Sequence, residues 1–323
     1  MKKALFPLLV LTMCLLILLS YFSVIDLSKA QRLQDKENKQ ETIINKEEYI
    51  YKEELLNLGY KIDEINIIEN KISNINVKQY LLNEKFDYLI DFIYSPYFKI
   101  ENIKRYESYY EENEYTPDET VLYVEIGLDI PFYEEIKEID NHYETTALVN
   151  KYNYITNDIA FDDLVTIEKP YSSDGKRKIR EVALKPLKDL IEAAKKDGVK
   201  LYVISSYRTM KEQTYLFNNS LKKNGEEHAL LYSAKPGHSE HQLGLAVDFN
   251  TTRDSFKDTK QYEWLKQNAY KYGFIERYPL NKEFITGYGF EPWHYRYLGV
   301  DIATKMFEEN ITYEEYLVKY DDK

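Results

Sequence analysis

At 323 residues, with 44% apolar and 30% charged side chains, the chain can bury a sizeable core and is not a disordered polymer. Its net charge of −12 is unevenly spread: residues 31–165 hold 30 acidic against 14 basic side chains, whereas residues 166–323 hold 24 against 26. No basic patch of the kind that grips phosphates stands out, which argues against a nucleic-acid partner, and the acidic stretch reads as a solvated surface.

Met1-Lys2-Lys3 leads into an uncharged run from Ala4 to Ile25, 22 residues long. A bilayer core takes about 20 residues in helical form, whereas a cleavable signal carries an apolar region of about 7–15. Residues 1–30 therefore read as a signal-anchor, a single transmembrane helix with its N-terminus in the cytoplasm. A small-x-small site at Ser28-Lys29-Ala30 leaves a secreted form open if the chain is cut after Ala30. Either way the remainder lies outside the cytoplasmic membrane. Cys14 is the sole cysteine and falls inside the apolar run, so no disulfide, CxxC pair or cysteine nucleophile is available further on.

Residues 31–48 are polar and suit a spacer. From Tyr49 to Tyr94 short apolar clusters recur with helix-like spacing, among them Leu55, Leu58, Ile65, Ile68, Leu81 and Leu89, and predict a small, mostly helical module within an acidic N-terminal segment over 49–164. The run Glu101–Asp118 looks too charged for core. Val121–Ile130 alternates enough to predict a strand ended by Pro131.

Residues 165–323 read as a separate domain. Leu187, Leu190, Ile191 and Ala194 form an i, i+3, i+4, i+7 stripe, with Pro186 near the helix start and Gly198 just past its end. Lys200–Ser205 predicts a buried strand, and Thr209-x-x-Glu212 a capping box opening a helix that Gly225 closes. A helix over 261–272 stops at Gly273 before a short strand at Phe274–Glu276. Strands and helices mix without the alternation of a doubly wound sheet, so the class is α+β.

Three of the five histidines lie in two dense stretches. The first runs Pro236-Gly237-His238-Ser239-Glu240-His241-Gln242-Leu243-Gly244-Leu245-Ala246-Val247-Asp248-Phe249, and the second Gly289-Phe290-Glu291-Pro292-Trp293-His294-Tyr295-Arg296. Leu245, Val247 and Phe249 alternate with Ala246 and Asp248, which predicts a strand with Asp248 on one face. A carboxylate there is costly unless paired or bound to a metal. His241, Asp248 and His294 make an open zinc set of two imidazoles and one carboxylate. Two core histidines and a salt-bridged aspartate would fit the spacing as well.

Ser239-x-His241-x-x-Gly244-x-Ala246-x-Asp248, followed by Glu291-x-Trp293-His294, resembles the VanY-type D-alanyl-D-alanine carboxypeptidases. These zinc peptidases share a fold with lysostaphin and the hedgehog signalling domain, and Ser206-Tyr207-Arg208 with Gln213 matches their upstream element. The resemblance implies a small antiparallel sheet flanked by helices, with Zn2+ held by His241, Asp248 and His294. It implies Glu291 as the catalytic carboxylate, and Arg208 as a group for the oxyanion or for the substrate's terminal carboxylate. Gln213, Ser239 and Trp293 would hold local geometry or contact peptide. His238, beside the motif, matches no ligand.

The function implied by this resemblance is that of a membrane-anchored zinc carboxypeptidase removing the terminal D-Ala from peptidoglycan stem peptides through metal-activated water. An L,D-carboxypeptidase trimming tetrapeptide stems is the rival within the class, and a catalytically silent wall-binding module the rival outside it. The chemistry forms no acyl-enzyme, so β-lactams should not acylate the protein.

Overall fold

The computed structural model describes residues 51–320. The N-terminal apolar run and the polar spacer lie outside that range, and among the described residues no helix is long and apolar enough to cross a membrane. The chain divides between Glu112 and Asn113 into two compact units.

The described part of the first unit is helical, as its apolar spacing predicts. Ile65 and Ile68 are buried on the helix Ile62–Lys71. The charged run proves amphipathic rather than purely solvated. Ile103 and Tyr106, three residues apart, are buried on the helix Ile103–Glu112 while Lys104, Glu111 and Glu112 are exposed.

The second unit starts at Asn113, so the boundary expected near residue 165 falls inside it. Ala147, Val149 and Ile155 sit in the same apolar cluster as the strands that carry the motif residues. Where a strand was expected at Val121–Ile130, the chain forms helix α1, Pro117–Ile126. Thr116 and Glu119 close a capping box, Pro117 occupies the first turn, and Gly127 ends the helix in the left-handed region at φ 99°. These terminal signals outweigh a weak alternation.

A hairpin of β1 (Leu164–Ile167) and β2 (Arg177–Arg180) leads into helix α2, Glu181–Lys196. Its buried stripe is the predicted one, but the helix begins at Glu181 and takes Pro186 inside it. Strand β3 (Val203–Ser205) follows, then helix α3 (Met210–Asn224), which Thr209 and Glu212 cap as expected.

The central sheet adds β4 (Ala246–Phe249), β5 (Phe274–Glu276) and β6 (His294–Tyr297). The strand order is β3-β4-β6-β5, and every neighbouring pair is antiparallel. One face of β4 sends Leu245, Val247 and Phe249 into the cluster that includes Leu187, Leu190 and Ala194 of α2. The period-2 geometry of the strand leaves Asp248 on the other face.

Candidate metal centre

Sheet register brings the two motif stretches together. Asp248 on β4 stands opposite His294 on β6 and opposite Ser205 on β3. His241 comes from a turn of 3₁₀-helix, Glu240–Leu243, that ends at Gly244 in the left-handed region at φ 67°. A Cβ at Gly244 would meet the Arg180 and Leu164 side chains at 3.0 and 3.2 Å, so both the backbone angle and the space favour glycine there.

The three predicted ligands converge. Their ligand atoms lie within 4.8 Å of one another, and all three residues are buried. His241 Nδ1 faces the Ser206 carbonyl oxygen at 2.8 Å, which turns Nε2 toward Asp248 Oδ1 at 3.3 Å. His294 presents Nδ1 to the same Oδ1 at 3.1 Å. Two ring nitrogens from different elements thus aim at one carboxylate oxygen, an arrangement that suits a shared cation. Burial raises the cost of ionising Asp248, yet the two imidazoles hold its pKa well below the usual carboxylate range. Burial and the Arg208 charge push His241 down to about 4. Burial also pulls His294 down, but Asp248 and Glu240 more than offset this and bring it to about 9.

Glu291 Oε2 stands 3.9 Å from His294 Nδ1, beside the trio but outside it. Burial, helped by the Asp248 charge, lifts its pKa to about 7 against the pull of His294 and Arg208. A carboxyl group poised near neutrality can both take and return a proton.

Arg208 also reaches the centre. Its Nη2 donates to Asp248 Oδ2 at 3.2 Å and to Ser205 Oγ at 2.9 Å, and Nη1 donates to Gln213 Oε1 at 3.1 Å. Gln213, 1% exposed, donates in turn to the Ala234 carbonyl at 2.8 Å. Gln213 therefore aims the guanidinium and is not itself presented at the surface. Trp293 lies in the central apolar cluster, where its position is that of a packing residue. Ser239 is buried, and its carbonyl accepts from Gln242 N at 3.0 Å. His238 is buried against Tyr133 and Tyr154, with Nδ1 facing the Asn150 carbonyl at 2.8 Å.

A further group went unassigned in the sequence. Glu240 is 1% exposed, and its Oε2 faces His294 Nε2 at 3.7 Å. Its Oε1 accepts from Arg277 Nε at 2.8 Å and from Arg296 Nη1 at 3.0 Å. Arg277 continues to Glu314 through two hydrogen bonds of 2.9 and 2.6 Å, and Arg296 donates to the carbonyls of Thr145 and Ala147 at 2.8 Å each. This is a buried charge network behind the second histidine, of the kind that fixes a ligating imidazole's orientation. Two signals were present. Glu240 adjoins His241, and Arg296 lies two residues beyond His294, on the same strand face.

Comparisons with known proteins point to one family. The family model of VanY, D-alanyl-D-alanine carboxypeptidase, matches residues 176–300. YodJ, a carboxypeptidase candidate of Bacillus subtilis (strain 168), is 39% identical over 210 residues, covering 60% of this chain and 77% of that protein. The chain belongs to the VanY-type D-alanyl-D-alanine carboxypeptidase family. A D-alanyl-D-alanine carboxypeptidase of Enterococcus faecalis is 40% identical over 161 residues, 47% of this chain, and the match spans only 59% of that relative's length. Among solved structures, the LdcB LD-carboxypeptidase, described with the molecular basis of its peptidoglycan recognition, is similar at a TM-score of 0.53 and 39% identity. That match covers 57% of this chain and 90% of LdcB. Family membership makes the protein a metallopeptidase and confirms the mixed fold with a small antiparallel sheet.

Proposed function

We propose that the protein is a zinc-dependent carboxypeptidase that removes the terminal D-Ala from peptidoglycan stem peptides. The observation that carries this reading is the convergence of His241 Nε2, Asp248 Oδ1 and His294 Nδ1 with Glu291 beside them. The donor set fits zinc, two imidazoles and one carboxylate: Ser206 O faces the other nitrogen of His241, the Glu240 carboxylate stands 3.7 Å behind that of His294, and His294, protonated at neutral pH without metal, would give up a proton on binding. When bound, zinc lowers the pKa of a coordinated water to about 7 and polarises the scissile carbonyl.

The chain's own residues supply the remaining chemistry. Glu291 accepts the proton of the attacking water and returns it to the leaving D-Ala amine, a role its position beside the trio allows. Arg208, pinned by Ser205 and Gln213, presents a guanidinium at the centre to the negative charge that develops on the carbonyl oxygen. The same fork suits a terminal carboxylate, and kinetics tell the roles apart. Arg208→Lys is expected to lower kcat about 10²-fold with little change in KM. A rise confined to KM would reassign Arg208 to the substrate's terminus.

The similarity to LdcB supports a second reading, an L,D-carboxypeptidase acting on tetrapeptide stems. Incubating the purified protein with defined penta- and tetrapeptide stems separates them. Release of one D-Ala from the pentapeptide with the tetrapeptide left intact is the expected result, and cleavage of the tetrapeptide alone would establish the alternative. We infer from the apolar run Ala4–Ile25 that the enzyme works outside the cytoplasmic membrane, tethered or released near its wall substrate.

A further inference from the structure

Lys151 is the second unit's least explained charge. It is only 5% exposed, and among the described residues no carboxylate pairs with its ammonium. Three rings surround Nζ instead, Phe132 at 4.8 Å, Tyr288 at 5.0 Å and Tyr133 at 5.4 Å from their centroids. A second ammonium, that of Lys235, stands over the same Tyr133 ring at 4.0 Å. Ring faces attract a cation but leave its charge in place. Two like charges gathered round one ring, one of them nearly buried, are unfavourable unless something negative arrives. Burial, with Lys235 adding to it, lowers the Lys151 pKa to about 8, which keeps the group mainly protonated at neutral pH.

The arrangement is held in place. The carbonyl of Asn150, adjoining Lys151, faces His238 Nδ1 at 2.8 Å, and Tyr288 Oη donates to the His238 carbonyl at 3.3 Å. Tyr133 presents its ring to both lysines from a backbone at φ 69°, a left-handed conformation that few non-glycine residues adopt. The cluster is also continuous with the metal centre. Tyr288 contacts Tyr278 at 4.9 Å between centroids, and Tyr278 stacks on the His294 ring at 4.9 Å.

We propose that Lys151 and Lys235, walled by Phe132, Tyr133 and Tyr288, form a subsite for a carboxylate of the substrate peptide other than the one at its C-terminus. The inference rests on the carboxypeptidase reading above. Stem peptides carry such an internal carboxylate on the D-glutamyl residue, and the rings offer apolar surface to the methylenes beside it. The subsite would make the enzyme read the acid form of the stem in preference to its amide.

The test uses the zinc-loaded full chain and two synthetic stem pentapeptides ending in D-Ala-D-Ala, identical except that the D-glutamyl α-carboxylate is free in one and amidated in the other. The wild type is expected to favour the acid by about tenfold to a hundredfold in kcat/KM, the worth of one hydrogen bond to a charged group, and to do so through KM. In Lys151→Met that ratio should collapse toward one. Lys235→Gln, at a half-buried position, should lower it in the same direction and serves if Lys151→Met does not fold. Equal use of both peptides by the wild type, or a ratio that survives both substitutions, would overturn the subsite while leaving the carboxypeptidase reading intact. Hydrolysis of neither peptide would overturn that reading and the subsite with it.

Discussion

Glu291→Ala is expected to lower kcat by about 10²- to 10⁴-fold, the usual contribution of a positioned acid–base group, while zinc stays bound. Glu291 Oε2 lies 3.9 Å from a candidate ligand atom of His294, close enough to share a water with the metal. Yet it stands outside the trio whose atoms fall within 4.8 Å of one another. Losing it should therefore remove proton transfer and spare coordination. Metal analysis of the purified variant beside its rate on a stem pentapeptide makes the comparison. Turnover at the wild-type rate would remove Glu291 from the mechanism, and loss of zinc together with activity would make it a ligand instead.

The second large effect is expected at Glu240. Glu240→Gln removes the negative charge that Arg277 and Arg296 share and that faces His294 Nε2. Arg277 keeps Glu314, but Arg296 is left with the carbonyls of Thr145 and Ala147 and its neighbours. Breaking a buried ionic network from one side costs about 3–5 kcal/mol, read as a lower urea midpoint. The imidazole also loses the carboxylate behind it, and zinc affinity should fall about 10- to 100-fold. Combining Glu240→Gln with Arg296→Leu should recover part of the stability but none of the affinity, because the double variant relieves the unpaired charge without restoring His294's partner. A stability loss under about 1 kcal/mol with unchanged affinity would show that the network does not support the metal site.

These two glutamates mark what can and cannot be read from a single chain. Spacing alone left the trio open against two core histidines and a salt-bridged aspartate; it became legible through the ordered motif blocks around it, from Ser239 to Asp248 and from Glu291 to His294, which carry the family resemblance. Glu240 was visible as a letter but not as a role. Its partners lie 37 and 56 residues downstream, and the pairing of β6 with both β4 and β5 brings Arg296 and Arg277 to it. The burial that makes the network matter is equally a product of tertiary packing.

The fold divides the same way. The α2 stripe, the Thr209–Glu212 box and the Gly273 stop are local signals, and each appears where expected. Over Val121–Ile130 the alternation suggestive of a strand is loose, and the Thr116 capping box, Pro117 and Gly127 are the stronger local signals, for a helix. The expected boundary near residue 165 followed a change in composition. The contribution of Ala147, Val149 and Ile155 to the core beneath the site depends on long-range contacts that no composition shift reveals. Trp293 and Gln213 show a related limit: motif membership points to the neighbourhood of a site, whereas burial decides whether a side chain faces the substrate or supports one that does.

If His241, Asp248 and His294 hold one zinc ion that drives release of D-Ala, activity must follow the metal. The most direct test is to strip the protein with a chelator, titrate zinc back, and follow D-Ala freed from a stem pentapeptide. No release is expected from the stripped protein, then a rise that saturates at one zinc per chain, with His294→Ala failing to recover at that stoichiometry. D-Ala release that survives complete removal of the metal, or recovery in His294→Ala at one equivalent, would contradict that role for the trio.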